Sequence, residues 1–188
     1  SQYFPSEKKF PKATGPALKL HVGYARRGAP QEKLFANGKA TDVLEVDISF
    51  REPVQAIQIV QLGNAKAKFA AYSLNDLIAE KLRALLQQEK RNRNRRQDIY
   101  DIASLLGKFT LDEMEKADLL ALLQEKCAAR KLNCPDPEPD SLVRPEVKER
   151  ARKEWDTLAM EIGNVPDFDE CFDKVDVFYR SLPWPKTA

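Results

Sequence analysis

Eight side chains in this sequence have the types and spacing to do chemistry: Glu45, Asp47, Lys81, Asp98, Asp101, Arg93, Arg95 and Arg96. Glu45 and Asp47 stand two apart in an alternating stretch, so on a strand both carboxylates point the same way. Carboxylates so placed can ligate a divalent metal. Lys81 follows Leu74 by seven residues, two helical turns along one stripe, where the pattern asks for an apolar residue. Such a lysine either snorkels to the surface or points into a cleft where something holds its charge. Asp98 and Asp101 stand three apart and share a helix face. They suit a helix N-terminus, an ion pair with Lys81, or the orientation of that lysine toward a phosphate. Between them, residues 81–96 carry seven Lys or Arg against the single acid Glu89. A basic run of this kind is either a solvated linker or a contact for phosphates.

The elements that must position these groups follow from periodicity. Leu18 to Arg26 reads as a strand containing the lone His21, and Gly28, Pro30, Asn37 and Gly38 mark a loop or hairpin excursion. Asp42 to Phe50 is the clearest strand. Leu44, Val46, Ile48 and Phe50 form one apolar face that should pack on a core, and Glu45 and Asp47 lie on the other. Ile57–Val60 and Ala67–Tyr72 are shorter strands, with a turn near Gly63 and Asn64. Ser73-Leu-Asn-Asp76 then caps a helix whose stripe runs Leu74, Leu77, Ile78, Leu82, Leu85. A second helix spans Gln97 to Leu106 and stops at Gly107. Thr110-Leu-Asp-Glu113 reads as the capping box of a third, reaching about Lys131. The Pro-rich stretch 134–140 is a break. Pro145 opens a fourth helix running through Trp155 to Ile162, and Asp167 caps a fifth ending near Leu182. The expected fold class is α+β, with a β-rich portion over residues 1–72 and a helical portion over 73–188.

Composition narrows the function classes. The chain has 188 residues, and 31 Lys+Arg against 29 Asp+Glu leave +2, so any nucleic-acid role must come from local clustering. A hydrophobic fraction of 43% suffices for a core. No apolar run approaches the ~20 residues that cross a bilayer. Three cysteines with one histidine make a zinc site or a histidine-based triad improbable, and read as reduced thiols of a cytoplasmic protein. The aromatics Trp155, Phe168, Phe172, Phe178, Tyr179 and Trp184 could serve an interface, though their helical spacing favours a core.

In this order the motifs resemble a known family. Val43-Leu-Glu-Val-Asp-Ile-Ser-Phe-Arg51, Tyr72-Ser-Leu-Asn-Asp-Leu-Ile-Ala-Glu-Lys-Leu-Arg-Ala-Leu-Leu86 and Asp98-Ile-Tyr-Asp-Ile102 are similar to the strand, lysine-helix and aspartate motifs of the AbiEii/AbiGii nucleotidyltransferase toxins. The likeness runs from about Leu18 to the C-terminus. It implies a partial DNA polymerase β-like nucleotidyltransferase fold, in which a mixed sheet precedes a helical bundle. It also implies a nucleoside triphosphate substrate, Mg2+, transfer of a nucleotide to tRNA or another RNA, and a cognate antitoxin. Carried over, Asp47 is the strand carboxylate near the metal, with Glu45 beside it. Lys81 contacts the triphosphate, and Asp98 is the acid paired with Lys81. Asp101 is the second, structural acid of its motif. Arg93, Arg95 and Arg96 are the phosphate contacts, although Gln97 stands where the family often has Arg. The family's opening Gly-Ser and Asp-x-Asp motif is absent, and the expectation is that the chain is trimmed upstream of Ser1. The other reading of the same residues is a non-catalytic RNA- or nucleotide-binding module built on the basic 90–96 loop.

Overall fold

The computed structural model describes residues 17–49, 54, 57–61, 63, 68–129 and 135–185, with backbone alone at 17, 47 and 49. The architecture is α+β. Two compact units divide the chain at Glu52 and Pro53.

The first unit holds β1 (Ala17–Tyr24), a short helix α1 (Glu32–Ala36) and β2 (Asp42–Ser49). The strands pair antiparallel, setting His21 opposite Glu45 and Lys19 opposite Asp47. α1 occupies the stretch expected as a loop; with five residues it lies below what periodicity can reveal. Gly23 is required where it stands, because a Cβ there would lie 2.5 Å from that of Ala40. The apolar side of β2 corrects an expectation. Leu44 is 57% exposed, and Leu20, Val22 and Val43 are exposed as well. A two-stranded ribbon has no second layer of its own to cover either face. Phe50 lies outside the described residues.

The second unit opens with an antiparallel pair, β3 (Ile57–Gln61) and β4 (Lys68–Tyr72). Asn64 of the expected turn lies outside the described residues. Ser73 then starts α2 (Leu74–Gln87). Its Oγ accepts from the N–H of Asp76 at 3.1 Å and donates to Asp76 Oδ2 at 3.2 Å, the expected cap. Next come α3 (Arg96–Leu106), α4 (Glu113–Ala129), α5 (Pro145–Arg152), a 3-10 turn (Trp155–Leu158), α6 (Ala159–Ile162) and α7 (Phe168–Arg180). α2 packs against α3, α4 and α5, and α3 packs against α7.

Two helix boundaries differ from the sequence reading. The capping box of α4 is Asp112 to Glu115, two residues later than expected. Asp112 Oδ1 accepts from the Glu115 N–H at 2.8 Å, and Glu115 Oε2 accepts from the Asp112 N–H at 2.8 Å. An aspartate reaches the third N–H as readily as a threonine does, and it adds a charge that favours the helix N-terminus. The helix expected from Pro145 to Ile162 is broken, because Glu154 adopts the left-handed conformation (φ 63°). The turn this creates buries Trp155, whose Nε1 donates to the Pro166 carbonyl at 2.9 Å. Residues 135–139 are irregular, as their prolines dictate; Cys134 and Lys131 lie outside the described residues.

The core joins all these helices. Ile78, Leu82 and Leu85 of α2, Ile99 and Ile102 of α3, Leu119 and Leu123 of α4, and Val175 of α7 are fully buried. Removing any large member of such a cluster costs ~2–5 kcal/mol. Trp155, Phe168, Phe172 and Tyr179 belong to this core, and Phe178 and Trp184 pack against it. Among the described residues no helix is long and apolar enough to cross a membrane.

Candidate functional site

α2 and α3 cross so that Lys81 meets both aspartates. Lys81 Nζ donates to Asp101 Oδ2 at 2.6 Å and to Asp98 Oδ1 at 3.2 Å. The group is mostly buried, with the Lys81 and Asp98 side chains 18% and 13% exposed. Local sequence explains each placement. Lys81 interrupts the apolar stripe of α2, so its stem starts inside the core and its ammonium must find a counterion there. Asp98 sits in the first turn of α3, where the helix dipole favours an anion. Asp101, one turn on, faces the same lysine and makes the shorter contact.

The electrostatics fit a desolvated triad. Burial by itself would lower the Lys81 pKa. The Asp101 hydrogen bond and the charges of Asp98 and Asp101 outweigh it and hold the ammonium above its ordinary value. Burial pushes the Asp98 carboxyl up despite the opposing charges of Lys81 and Arg95. Asp98 Oδ2 accepts no hydrogen bond, and Arg95 Nη1 stands 3.7 Å from it. An ammonium has three protons. With two given to the aspartates, one remains for a ligand.

That ligand has somewhere to sit. Lys81 and Asp101 line an open groove of about 650 Å³ between α2, α3 and α7, shared with Leu77, Tyr100, Ser104 and Leu105. This volume suits a small organic molecule or nucleotide. Two further lysines, Lys108 and Lys174, also line it. The sequence reading missed them. Lys174 is an exposed position of α7, outside its buried stripe of Cys171, Phe172, Val175 and Tyr179, and gave no signal of the Lys81 kind. Lys108, directly after the helix-stopping Gly107, gave none.

The arginines separate. Arg95 faces Asp98, and Arg96 lies 3.7 Å from Glu161 and 4.0 Å from Glu154. Arg93 is exposed, and its backbone N–H donates to the Gln88 carbonyl at 2.8 Å. Asn92 beside it accepts from Arg150 of α5 at 3.1 Å.

Glu45 belongs to the other unit, where it is exposed. Lys19 Nζ donates to it at 2.9 Å and His21 Nδ1 lies at 3.7 Å. The Lys19 hydrogen bond and charge hold its carboxyl below the ordinary range, with a smaller share from His21. The Asp47 side chain lies outside the described residues. A glutamate already holding a lysine is a poor metal ligand on its own. Among the described residues, no three His, Cys, Asp or Glu side chains gather as a metal would need. The described side chains therefore do not compose the magnesium site that the resemblance implies.

Comparison with known proteins supplies one match. A family model described as "Nucleotidyl transferase AbiEii toxin, Type IV TA system" matches residues 3–174. No curated protein and no solved structure matches the chain.

Proposed function

Because the chain belongs to the AbiEii nucleotidyl transferase toxin family, we propose that it transfers a nucleotide from a nucleoside triphosphate to an RNA acceptor such as tRNA, and that a cognate antitoxin restrains it. The observation that carries this reading is the Lys81–Asp98–Asp101 triad, of which Lys81 and Asp101 line a nucleotide-sized groove. The RNA 3′ oxygen attacks the α-phosphorus, its proton passes to solvent, and the bond to the β-phosphate breaks to release pyrophosphate. Lys81 contributes its remaining N–H to a phosphate oxygen, where charge grows in the transition state. Asp98 and Asp101 fix the ammonium so that no reorganisation is needed at that moment. A divalent cation, with magnesium the family's choice, would screen the phosphates; the described side chains do not compose its site.

The direct test incubates the protein with each α-labelled nucleoside triphosphate, magnesium and total RNA. Label should enter RNA with at least one triphosphate, and Asp98→Asn should lower incorporation. No label from any of the four would refute the reading.

The RNA contact has its own prediction. Arg95 and Arg96 are committed to Asp98 and to Glu154 and Glu161, so the exposed Arg93 is the arginine free to meet a phosphate among the three. Arg93→Gln should reduce the salt slope of RNA binding by about one and weaken all sequences alike. Arg96→Gln should leave the slope nearly unchanged. Equal slopes for wild type and Arg93→Gln would move the contact off this loop.

A further inference from the structure

The groove contains more positive charge than its triad can use. Lys81 is already neutralised by two carboxylates at 2.6 and 3.2 Å. Lys108 and Lys174 line the same groove and have no ion-pair partner among the described residues. Three ammonium groups and one carboxylate, Asp101, make the lining +2; including Asp98 behind Lys81 it is still +1. Lys174 reaches the end of α3, where its Nζ lies 3.0 Å from the place a Cβ on Gly107 would take, so that ammonium sits over the helix terminus. Gly107 has an ordinary right-handed backbone (φ −77°), so the conformation itself does not demand glycine. The end of a helix attracts a cation. That accounts for one lysine there, and leaves Lys108 as additional charge beside it.

We propose that Lys108 and Lys174 hold the phosphate chain of the nucleoside triphosphate. Lys81, which shares that lining, meets the same ligand. The assignment rests on the nucleotidyl transfer reading and goes beyond it by naming anion-gripping residues outside the triad. The ligand chemistry is a polyphosphate. An ammonium on a flexible stem binds such a group as a point charge and needs no fixed geometry.

Calorimetric titration in metal-free buffer tests it, with inorganic tripolyphosphate and the four nucleoside triphosphates as probes. The proteins are wild type, Lys108→Gln/Lys174→Gln and Lys153→Gln, which changes an exposed lysine outside the groove, each checked for an unchanged melt. The double variant should lose about tenfold or more in affinity for every polyphosphate that wild type binds. Lys153→Gln should match wild type. If wild type binds neither probe, or if the double variant binds as tightly as wild type, the assignment falls. If the double variant loses RNA binding and keeps its polyphosphate affinity, the lysines serve the nucleic-acid backbone and the assignment also falls. Lysine-dependent binding of tripolyphosphate with no label transferred to RNA would uphold the groove and sink the transfer reading alone.

Discussion

Replacing Lys126 with methionine is expected to destabilise the fold by ~3–5 kcal/mol, because it strips a buried carboxylate of its ammonium. Lys126 of α4 is 3% exposed, and its ammonium lies 3.2 Å from Asp76 of α2, which is fully buried. Glu80 stands 3.9 Å away, and it is also held by Arg83, which pairs with Gln87 in turn. Asp76 is anchored in the Ser73 cap and cannot swing toward water. Without Lys126 its charge stays in the core short of its ammonium. Denaturant unfolding measures the loss, which is a large part of the ~5–15 kcal/mol that holds a typical domain together. Adding Asp76→Asn to the methionine variant should recover part of the stability, because the charge and its counterion then leave together. A loss below ~1 kcal/mol in the single variant would mean that water reaches this pair.

Lys81→Met is expected to abolish toxicity and lower the transfer rate by about 10²–10³. Its effect on stability should depend on pH. In the native protein the raised Lys81 pKa means that its pairing stabilises the fold at pH values below the unfolded lysine pKa. That contribution is lost only in alkali, as pH rises through the folded value. Asp98 runs the other way. Its folded pKa is raised, so its burial favours the fold in acid and costs stability as pH rises from the unfolded carboxyl value through the folded one. Deleting Lys81 removes a principal charge opposing that rise. The Asp98 pKa then climbs further and the costly window extends upward. The variant should lose ~2–4 kcal/mol at pH 8 and less at pH 5, a slope steeper than that of wild type. Melting curves across that range give the answer, and a flat difference would mean that Asp98 is not the group responding. Transfer assayed well below either melting midpoint separates chemistry from unfolding. A folded and active methionine variant would leave Lys81 as a strut between α2 and α3.

The helical half was largely legible before any coordinates, because helix formation is local. The stripe of α2, the Ser73 cap, the stop at Gly107 and the Asp167 cap of α7 all depend on residues three or four apart. The α4 cap and the short α1 were missed for local reasons; the other errors came where tertiary contacts decided the outcome. Glu154 accepts a strained backbone because the turn it makes buries Trp155 against Pro166 and Phe168. The apolar side of β2 obeyed its alternation, yet alternation cannot say whether a second layer exists to cover it.

The candidate site divides in the same way. Lys81 was visible as a charge in an apolar stripe, and Asp98 and Asp101 as acids on one helix face. Those facts are fixed by a 3.6-residue period and by side-chain type. Lys126 breaks the stripe of Leu119, Leu122 and Leu123 in the same fashion, a charge that would need company, although the sequence reading did not single it out. The sequence could not supply the company. Asp76 lies fifty residues before Lys126, and Gly107 lies sixty-seven before Lys174. Which of them meet depends on how whole helices cross, and the summed burial of the core sets that crossing. Periodicity determined where the unusual charges are; only the packing of α2, α3, α4 and α7 decided which were neutralised and which were left facing a groove.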